Sequence, residues 1–453
     1  MRFYAREEEI GLLQDCWDTV KTNKVAQMLT VVGRRRVGKT TLILKAFERI
    51  QETTPVFYFF VERKTTEKQL VSVWLDEICS AYHIEFPPAL QTIGDVINYL
   101  ITLSREKPCV CIIDECQDFN LVDPNVWSQI QKVWDLKKAK AQMLLVMSGS
   151  IITAMEEIFS DNSQPLYGRP SYQLLVKPFT PQVVKEIVFT ENSEATVSDV
   201  LTIYSMTGGV PKYIEILAEA HSLSAEGAIN FICSSRGQWL RSEGEVYLAN
   251  EFRAEAVIYN EILHAIANGA TKWNEIQDKI DSSSQLSPYL NRLERFGIIH
   301  KNQPIFEPSA KRNTKYRIVD QYLLFWLTFI SPLIPRSMAE SGNWLGLKQF
   351  CEQRLPQFLG RSLERWFIEF YRHSHQWEVV DGWWDKNGVN EIDLVAVNST
   401  KKNIEFAEVK LNPKKYEERH LQLKVAIFLE KHPKLKPYEI VIRGLSPKDI
   451  DGM

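Results

Sequence analysis

The sequence predicts an α/β chain built on a parallel sheet, and two observations carry that expectation. Apolar runs of strand length alternate with amphipathic helical stretches over the first ~180 residues. The eight residues Gly33, Arg34, Arg35, Arg36, Val37, Gly38, Lys39 and Thr40 also fit G-x-x-x-x-G-K-[ST], directly between an apolar strand and a helical run. A length of 453 residues allows about three folding units at roughly 150 residues each. With 45% hydrophobic and 25% charged residues, wholesale disorder and fibrous repeats are excluded.

In chain order, Met28 to Val32, Val56 to Val61, Val110 to Ile113 and Met143 to Met147 are the candidate strands. Their continuous apolar character suits strands covered on both faces. The stretch from Gln182 to Arg241 reads as helical, interrupted by Gly208-Gly209-Val210-Pro211. From Ala254 to Asp320 the pattern is three helices and two short strands. Residues 331–355 hold Pro332, Pro335, Gly342 and Gly346 and read as a connector, and an α/β segment runs from Gln357 onward.

Lys plus Arg (54) nearly balance Asp plus Glu (57), a net charge of −3, so any nucleic-acid site must be a local patch. Residues 401–453 carry a local +4. Seven cysteines form neither an even disulfide framework nor paired zinc half-sites and read as reduced thiols. The charged start of the chain lacks a signal-peptide core, and the apolar stretch Tyr322 to Ile330 is about half the ~18 residues that span a bilayer. The expectation is a cytoplasmic protein with no membrane partner.

The glycines of the loop let backbone N–H groups cradle phosphate oxygens at a helix N-terminus, where the dipole favours anions. Lys39 would reach the β and γ phosphates of ATP, the Thr40 hydroxyl would ligate Mg²⁺, and Thr41 continues into the helix. The apolar strand ending in Asp114-Glu115 offers a second Mg²⁺ ligand, Asp114, and a base or water-positioning group, Glu115. Ser148-Gly149-Ser150 places hydroxyls, Ser148 first, at the end of another strand, where open α/β sheets bind ligands.

Phe3 with Arg6-Glu7, the phosphate loop, Asp114-Glu115, Ser148-Gly149-Ser150, Tyr167-Gly168-Arg169 and Gly208-Gly209-Val210-Pro211 together resemble the archaeal-type ATPases, relatives of the AAA+ and STAND NTPases. The resemblance implies that Arg6 borders the nucleotide, that Pro211 belongs to a helical lid, and that Arg169 stabilises charge near the γ-phosphate. It also implies ATP hydrolysis, and it leaves a homo-oligomer open.

The helix-helix-helix-strand-strand pattern resembles a winged helix, with Tyr289, Asn291, Arg292 and Arg295 on the third helix and Lys311, Arg312 and Lys315 on the wing as candidate DNA contacts. Packing against the ATPase core is the alternative use of such a module.

Near the end, Glu391 to Val397 and Ile404 to Lys410 form two strands around a polar turn. If Val397 pairs with Ile404, Asp393 stands opposite Glu408, and period-two alternation adds Lys410 to the same face. Paired acids suit Mg²⁺, which activates water while Lys410 orients it. Asp393, Glu408 and Lys410 resemble the PD-(D/E)xK nucleases, with Glu364 matching the acid of the preceding helix and Gln422 a weaker match on the helix after the site. The proline before the first acid is absent, Glu391-Ile392 standing there instead.

An archaeal-type ATPase joined to this segment resembles a bacterial and archaeal family whose last domain is of unknown function. The expected organisation is a P-loop ATPase core (1–180), a helical lid (181–248), a winged-helix domain (249–330), a connector (331–355) and an α/β restriction-endonuclease-like domain (356–453). The expected function is an ATPase coupled to a Mg²⁺-dependent deoxyribonuclease. The alternatives are a STAND-type switch whose last domain binds without cleaving, and a transcription-factor-like DNA binder.

Overall fold

Strands buried on both faces are mostly apolar, and the inner strands of the first sheet follow this, with Thr30, Asp114 and Ser148 as their buried polar residues. A computed structural model describes residues 1–252, 255–280, 285–307, 313–386 and 388–451. The chain divides into two compact units, Ala5–Lys177, and Pro178–Met453 together with Met1–Tyr4. In the first, β1 (Gln27–Val32), β2 (Val56–Phe60), β3 (Cys109–Asp114), β4 (Met143–Gly149) and β5 (Tyr172–Leu175) form a five-stranded sheet in the order β2-β3-β4-β1-β5. All neighbours are parallel. Alternate residues feed two cores. Leu29, Val31, Val110, Ile112, Leu144 and Val146 pack with Leu13, Trp17 and Leu42 on one face. Met28, Cys111, Ile113, Leu145 and Met147 pack with Trp74, Ile97 and Trp134 on the other. β5 has no such signature, because this edge strand is mostly exposed.

The second unit begins with helices Pro181–Glu191, Val197–Thr207, Pro211–Glu219, Ala225–Ile232 and Gln238–Phe252. The glycine pair between the second and third is required by the backbone: Gly208 and Gly209 have φ of 61° and 73°, and a Cβ on Gly209 would lie 2.2 Å from the Phe179 carbonyl oxygen. Helices Ala256–Ala267, Trp273–Gln277 and Leu286–Arg295 precede an antiparallel pair, β6 (Ile299–Asn302) and β7 (Lys315–Ile318), the order read from the sequence.

Residues 331–355, read as a connector, are helical rather than irregular. They form helix Leu333–Glu340 and the first part of helix Trp344–His373, which runs across the expected boundary at 356. Pro332 precedes the first helix and Pro335 lies in its first turn, where a missing N–H costs no intrahelical bond. Gly342, at φ 71°, makes the turn, and the Asn343 side chain caps the second helix by accepting from the Gly346 N–H at 3.0 Å.

The last sheet contains β8 (Val379–Trp384), β9 (Glu391–Asn398), β10 (Asn403–Val409) and β11 (Glu439–Leu445) in the order β11-β10-β9-β8. β8, β9 and β10 are antiparallel neighbours, and β11 is parallel to β10. Trp383, Val395, Val397, Ile404 and Phe406 pack against Leu421, Val425 and Phe428 of helix Glu418–Lys431. All seven cysteines are buried and unbridged. Among the described residues, no helix is long and apolar enough to cross a membrane.

Two costs separate at the positive-φ glycines. Gly209→Ala meets both a positive φ and a backbone oxygen, whereas Gly269→Ala has φ 96° but open space around its Cβ. Gly269→Ala should cost about 1 to 2 kcal/mol, Gly209→Ala clearly more, and thermal scanning of the two variants should rank them in that order.

Candidate functional site

The phosphate loop follows β1 at the carboxyl edge of the first sheet, and the order β3-β4-β1 brings the ends of three strands side by side. Gly38 (φ 88°) and Arg36 (φ 72°) turn the loop into helix Lys39–Phe47. Gly33 is required by close approach, since a Cβ there would stand 2.5 Å from the Val176 carbonyl oxygen. The buried Lys39 ammonium folds over the loop, donating to the Gly33 and Arg34 carbonyls at 2.8 and 3.3 Å. Arg34 and Val37 are buried, while Arg36 and Thr41 are exposed.

Asp114 is the buried end of β3 and joins three groups. Its Oδ2 accepts from the Thr40 hydroxyl at 2.7 Å and from the Tyr58 hydroxyl at 2.8 Å, and its Oδ1 accepts from the Glu115 N–H at 3.0 Å. Burial, followed by the Asp114 charge, pushes the Tyr58 phenol well above its ordinary value, so Tyr58 stays a donor. Thr40 and Asp114 thus present adjacent oxygens of the kind Mg²⁺ takes, and the pair fits that ion. Glu115 has φ 53° and accepts from Ser150 at 2.6 Å and Gln117 at 2.5 Å. Of the two serines it is Ser150 that meets Glu115. The Ser148 hydroxyl is buried with no partner among the described residues. Tyr58 was not foreseen, because its place in an aromatic strand hides its polar end.

Arg6 is buried, with its guanidinium on Glu9 at 2.8 Å and on the Lys177 carbonyl at 2.7 Å, beside the segment that covers Gly33. Arg169 is not brought to the loop. It precedes β5 at the amino edge of the sheet, where Ser171 bonds Met28, and its guanidinium is held by Asp135 at 3.0 and 3.3 Å. Pro211 opens its helix in the second unit, beside the Gly208-Gly209 turn.

In the last sheet, Ile404 pairs with Val397 and Ala407 with Leu394, the register that sets Asp393 against Glu408. The Val409 N–H donates to Asp393 Oδ2 at 2.8 Å. Lys410 Nζ lies 2.9 Å from Glu408 Oε1 and 3.7 Å from Asp393 Oδ2, between the two acids. Lys424, from the helix after β10, reaches Glu408 at 3.4 Å. It stands two residues beyond Gln422, which instead donates to Glu418 on its own helix. Burial alone would raise Glu408, but Lys410 and Lys424 hold it below its ordinary value. Asp393 is raised by burial despite the Val409 N–H and Lys410.

Glu364 completes the group: burial and then the Asp393 charge push its carboxyl up to about 7. Among the described residues no three His, Cys, Asp or Glu side chains converge as a metal cage. Asp393 and Glu408 with water nonetheless fit Mg²⁺, which keeps several waters of its own.

The candidate DNA contacts of the middle module are mostly engaged elsewhere. Arg292 binds Glu255 at 2.7 Å, and Lys315 binds Glu391 at 3.2 Å. Tyr289 packs on the Tyr259 ring, and Asn291 and Arg295 are exposed. Lys311 and Arg312 lie outside the described residues.

Residues 3–217 match the model of a family described as an ATPase domain predominantly from Archaea. Residues 326–421 match a family of archaeal and bacterial proteins of unknown function. An uncharacterized protein of Methanocaldococcus jannaschii is 27% identical over 414 residues, 90% of this chain and 87% of that one. The fold is similar to that of a Walker-type ATPase of Pyrococcus abyssi, 21% identical, covering 72% of this chain and 96% of the other at a TM-score of 0.51. The ORC2 protein of Aeropyrum pernix, in ADPNP and ADP complexes, is 15% identical over 75% of this chain and 96% of its own, at a TM-score of 0.48.

Glu364 gives a signed pH dependence. Its folded value of about 7 lies above the ordinary 4.5, so the folded state holds the extra proton between those values and loses stability as pH rises through them. In metal-free buffer, Glu364→Gln should flatten this decline by at most about 3 kcal/mol. The check is denaturation of both proteins at pH 5 and pH 8, and equal pH dependence would contradict it.

Proposed function

From a chain whose first domain is an archaeal-type P-loop ATPase, we propose a Mg²⁺-dependent ATP hydrolase coupled to cleavage of DNA at the Asp393, Glu408 and Lys410 site. The observation that carries the DNA-processing half is the β9–β10 register, which sets both acids and the lysine on one face of a sheet. The loop supports the ATP half.

In this reading Gly33 to Thr40 cradle the phosphates, Lys39 turns from the loop carbonyls to the β and γ phosphates, and Thr40 and Asp114 hold Mg²⁺. Glu115, aimed by Ser150 and Gln117, orients the attacking water. Arg6 and Ser148 border the nucleotide, and Pro211 belongs to the lid at 181–248. Arg169 lies at the far edge of its own sheet, so its charge would serve the nucleotide of a neighbouring copy in a homo-oligomer. In the last domain, 356–453, Mg²⁺ when bound supplies Lewis-acid stabilisation of a phosphodiester and a more acidic water. Asp393 and Glu408 hold it, Lys410 steers the water, and Glu364 keeps a proton near neutrality. The 249–330 segment acts as a winged helix, and the protein works in the cytoplasm.

A second reading draws on Glu408, which already carries two ammonium groups, Lys410 and Lys424. A site that neutralises itself suits a STAND-type switch whose last domain binds without cutting.

The test is ATP hydrolysis and DNA cleavage in Mg²⁺ buffer. Lys39→Ala and Glu115→Gln should each lower hydrolysis by about 100-fold or more, and Asp393→Ala and Lys410→Ala should abolish cleavage while sparing hydrolysis. Cleavage that persists in Asp393→Ala contradicts the nuclease reading, and wild-type protein that hydrolyses ATP but never cuts favours the switch.

A further inference from the structure

The two-stranded hairpin that the sequence assigns to a DNA-reading wing leans on the last sheet. Asn302 on β6 donates to Asp381 on β8 at 3.4 Å, the Ile305 N–H donates to the Gly382 carbonyl at 3.3 Å, and the Trp384 indole donates to the Asn313 carbonyl at 3.1 Å. Two cations of β7 then share one aromatic ring: Lys315 lies 4.5 Å and Arg317 5.6 Å from the centre of Trp384. Both also bind Glu391, each at 3.2 Å. An arginine held at once by a ring face and a carboxylate loses most of its rotamer freedom.

Its direction matters because Glu391 stands two residues before Asp393 on β9, and the Asp393 carboxyl feels its charge. The patch therefore gathers Glu391, Asp393 and Glu408, three carboxylates that would repel a DNA phosphate. Lys410 and Lys424 are committed to Glu408, and Lys315 is only 15% exposed. The Arg317 side chain is 34% exposed and contacts Glu391 through one terminal nitrogen. The planar guanidinium presents further donors in a fork that matches phosphate oxygens.

We propose that Arg317 belongs to the C-terminal site as a substrate-positioning residue, holding one phosphate of the DNA backbone beside Asp393 and Glu408. The proposal rests on the nuclease reading above. The site is then composite: the last domain supplies the acids, and the hairpin before it supplies the anchor.

The test uses the full chain in an Asp114→Asn background, which silences the phosphate-loop metal site, with and without Arg317→Ala, Arg317→Lys or Asp393→Ala. Duplex DNA affinity is measured by fluorescence anisotropy across a salt series in Ca²⁺, and Mn²⁺ affinity by calorimetry. Arg317→Ala should flatten the slope of log affinity against log salt by about 1, Arg317→Lys should restore it, and Mn²⁺ should bind as well as before or tighter. An unchanged slope in Arg317→Ala, while Asp393→Ala abolishes Mn²⁺ binding, overturns this proposal alone. Loss of Mn²⁺ binding together with melting temperature in Arg317→Ala makes Arg317 a structural buttress and also overturns it. Mn²⁺ binding that survives Asp393→Ala removes the nuclease reading itself.

Discussion

An ionised carboxylate taken into a covered sheet costs several kcal/mol unless a partner meets it, and both candidate sites are arranged around that constraint. In the first sheet, the buried lengths of β1, β3 and β4 are apolar apart from Thr30, Ser148 and Asp114, and the acid appears only at the end of β3. Asp114 is tolerated there because Thr40, Tyr58 and the Glu115 N–H all donate to it. In the last sheet, Asp393 takes the Val409 N–H and Glu408 takes two ammonium groups. Each acid is thus held in a form that a divalent cation can take over.

The two sites meet the constraint differently, and the difference bears on chemistry. Hydroxyl groups surround Asp114, so a cation arriving there displaces no charge. At Glu408 the lysines already supply positive charge, so a cation must compete with Lys410 or push it aside. The hairpin residues Lys315 and Arg317 do for Glu391 what the lysines do for Glu408. Cations from β7, from the end of β10 and from the following helix are interleaved with Glu391, Asp393 and Glu408.

Much of this was legible in the sequence where the signal is local. The phosphate loop announces itself by glycines at positions where the backbone is left-handed or closely approached, and the β9–β10 register follows from two apolar alternations around one polar turn. What was not legible depends on distance along the chain. Arg169 falls in a plausible motif, yet it enters β5 from the amino edge of the sheet and is held by Asp135. Residues 331–355 carry four helix breakers, but Pro335 falls in a first turn and Gly342 makes a turn, so two helices form. The partnership of Arg317 with Glu391 spans 74 residues, and no periodicity signals it. β5, mostly exposed at an edge, lacks the apolar run that marks its neighbours.

On the proposed reading, one chain carries two separate sites for divalent cations, one for a nucleotide and one for a phosphodiester. The direct measurement is anomalous diffraction from crystals of the protein grown with a non-hydrolysable ATP analogue and Mn²⁺. Two peaks are expected, one beside Thr40 and Asp114 and one beside Asp393 and Glu408, with the Lys410 ammonium moved off the acid pair. A single peak at the phosphate loop, with Lys410 still between Asp393 and Glu408, would contradict it.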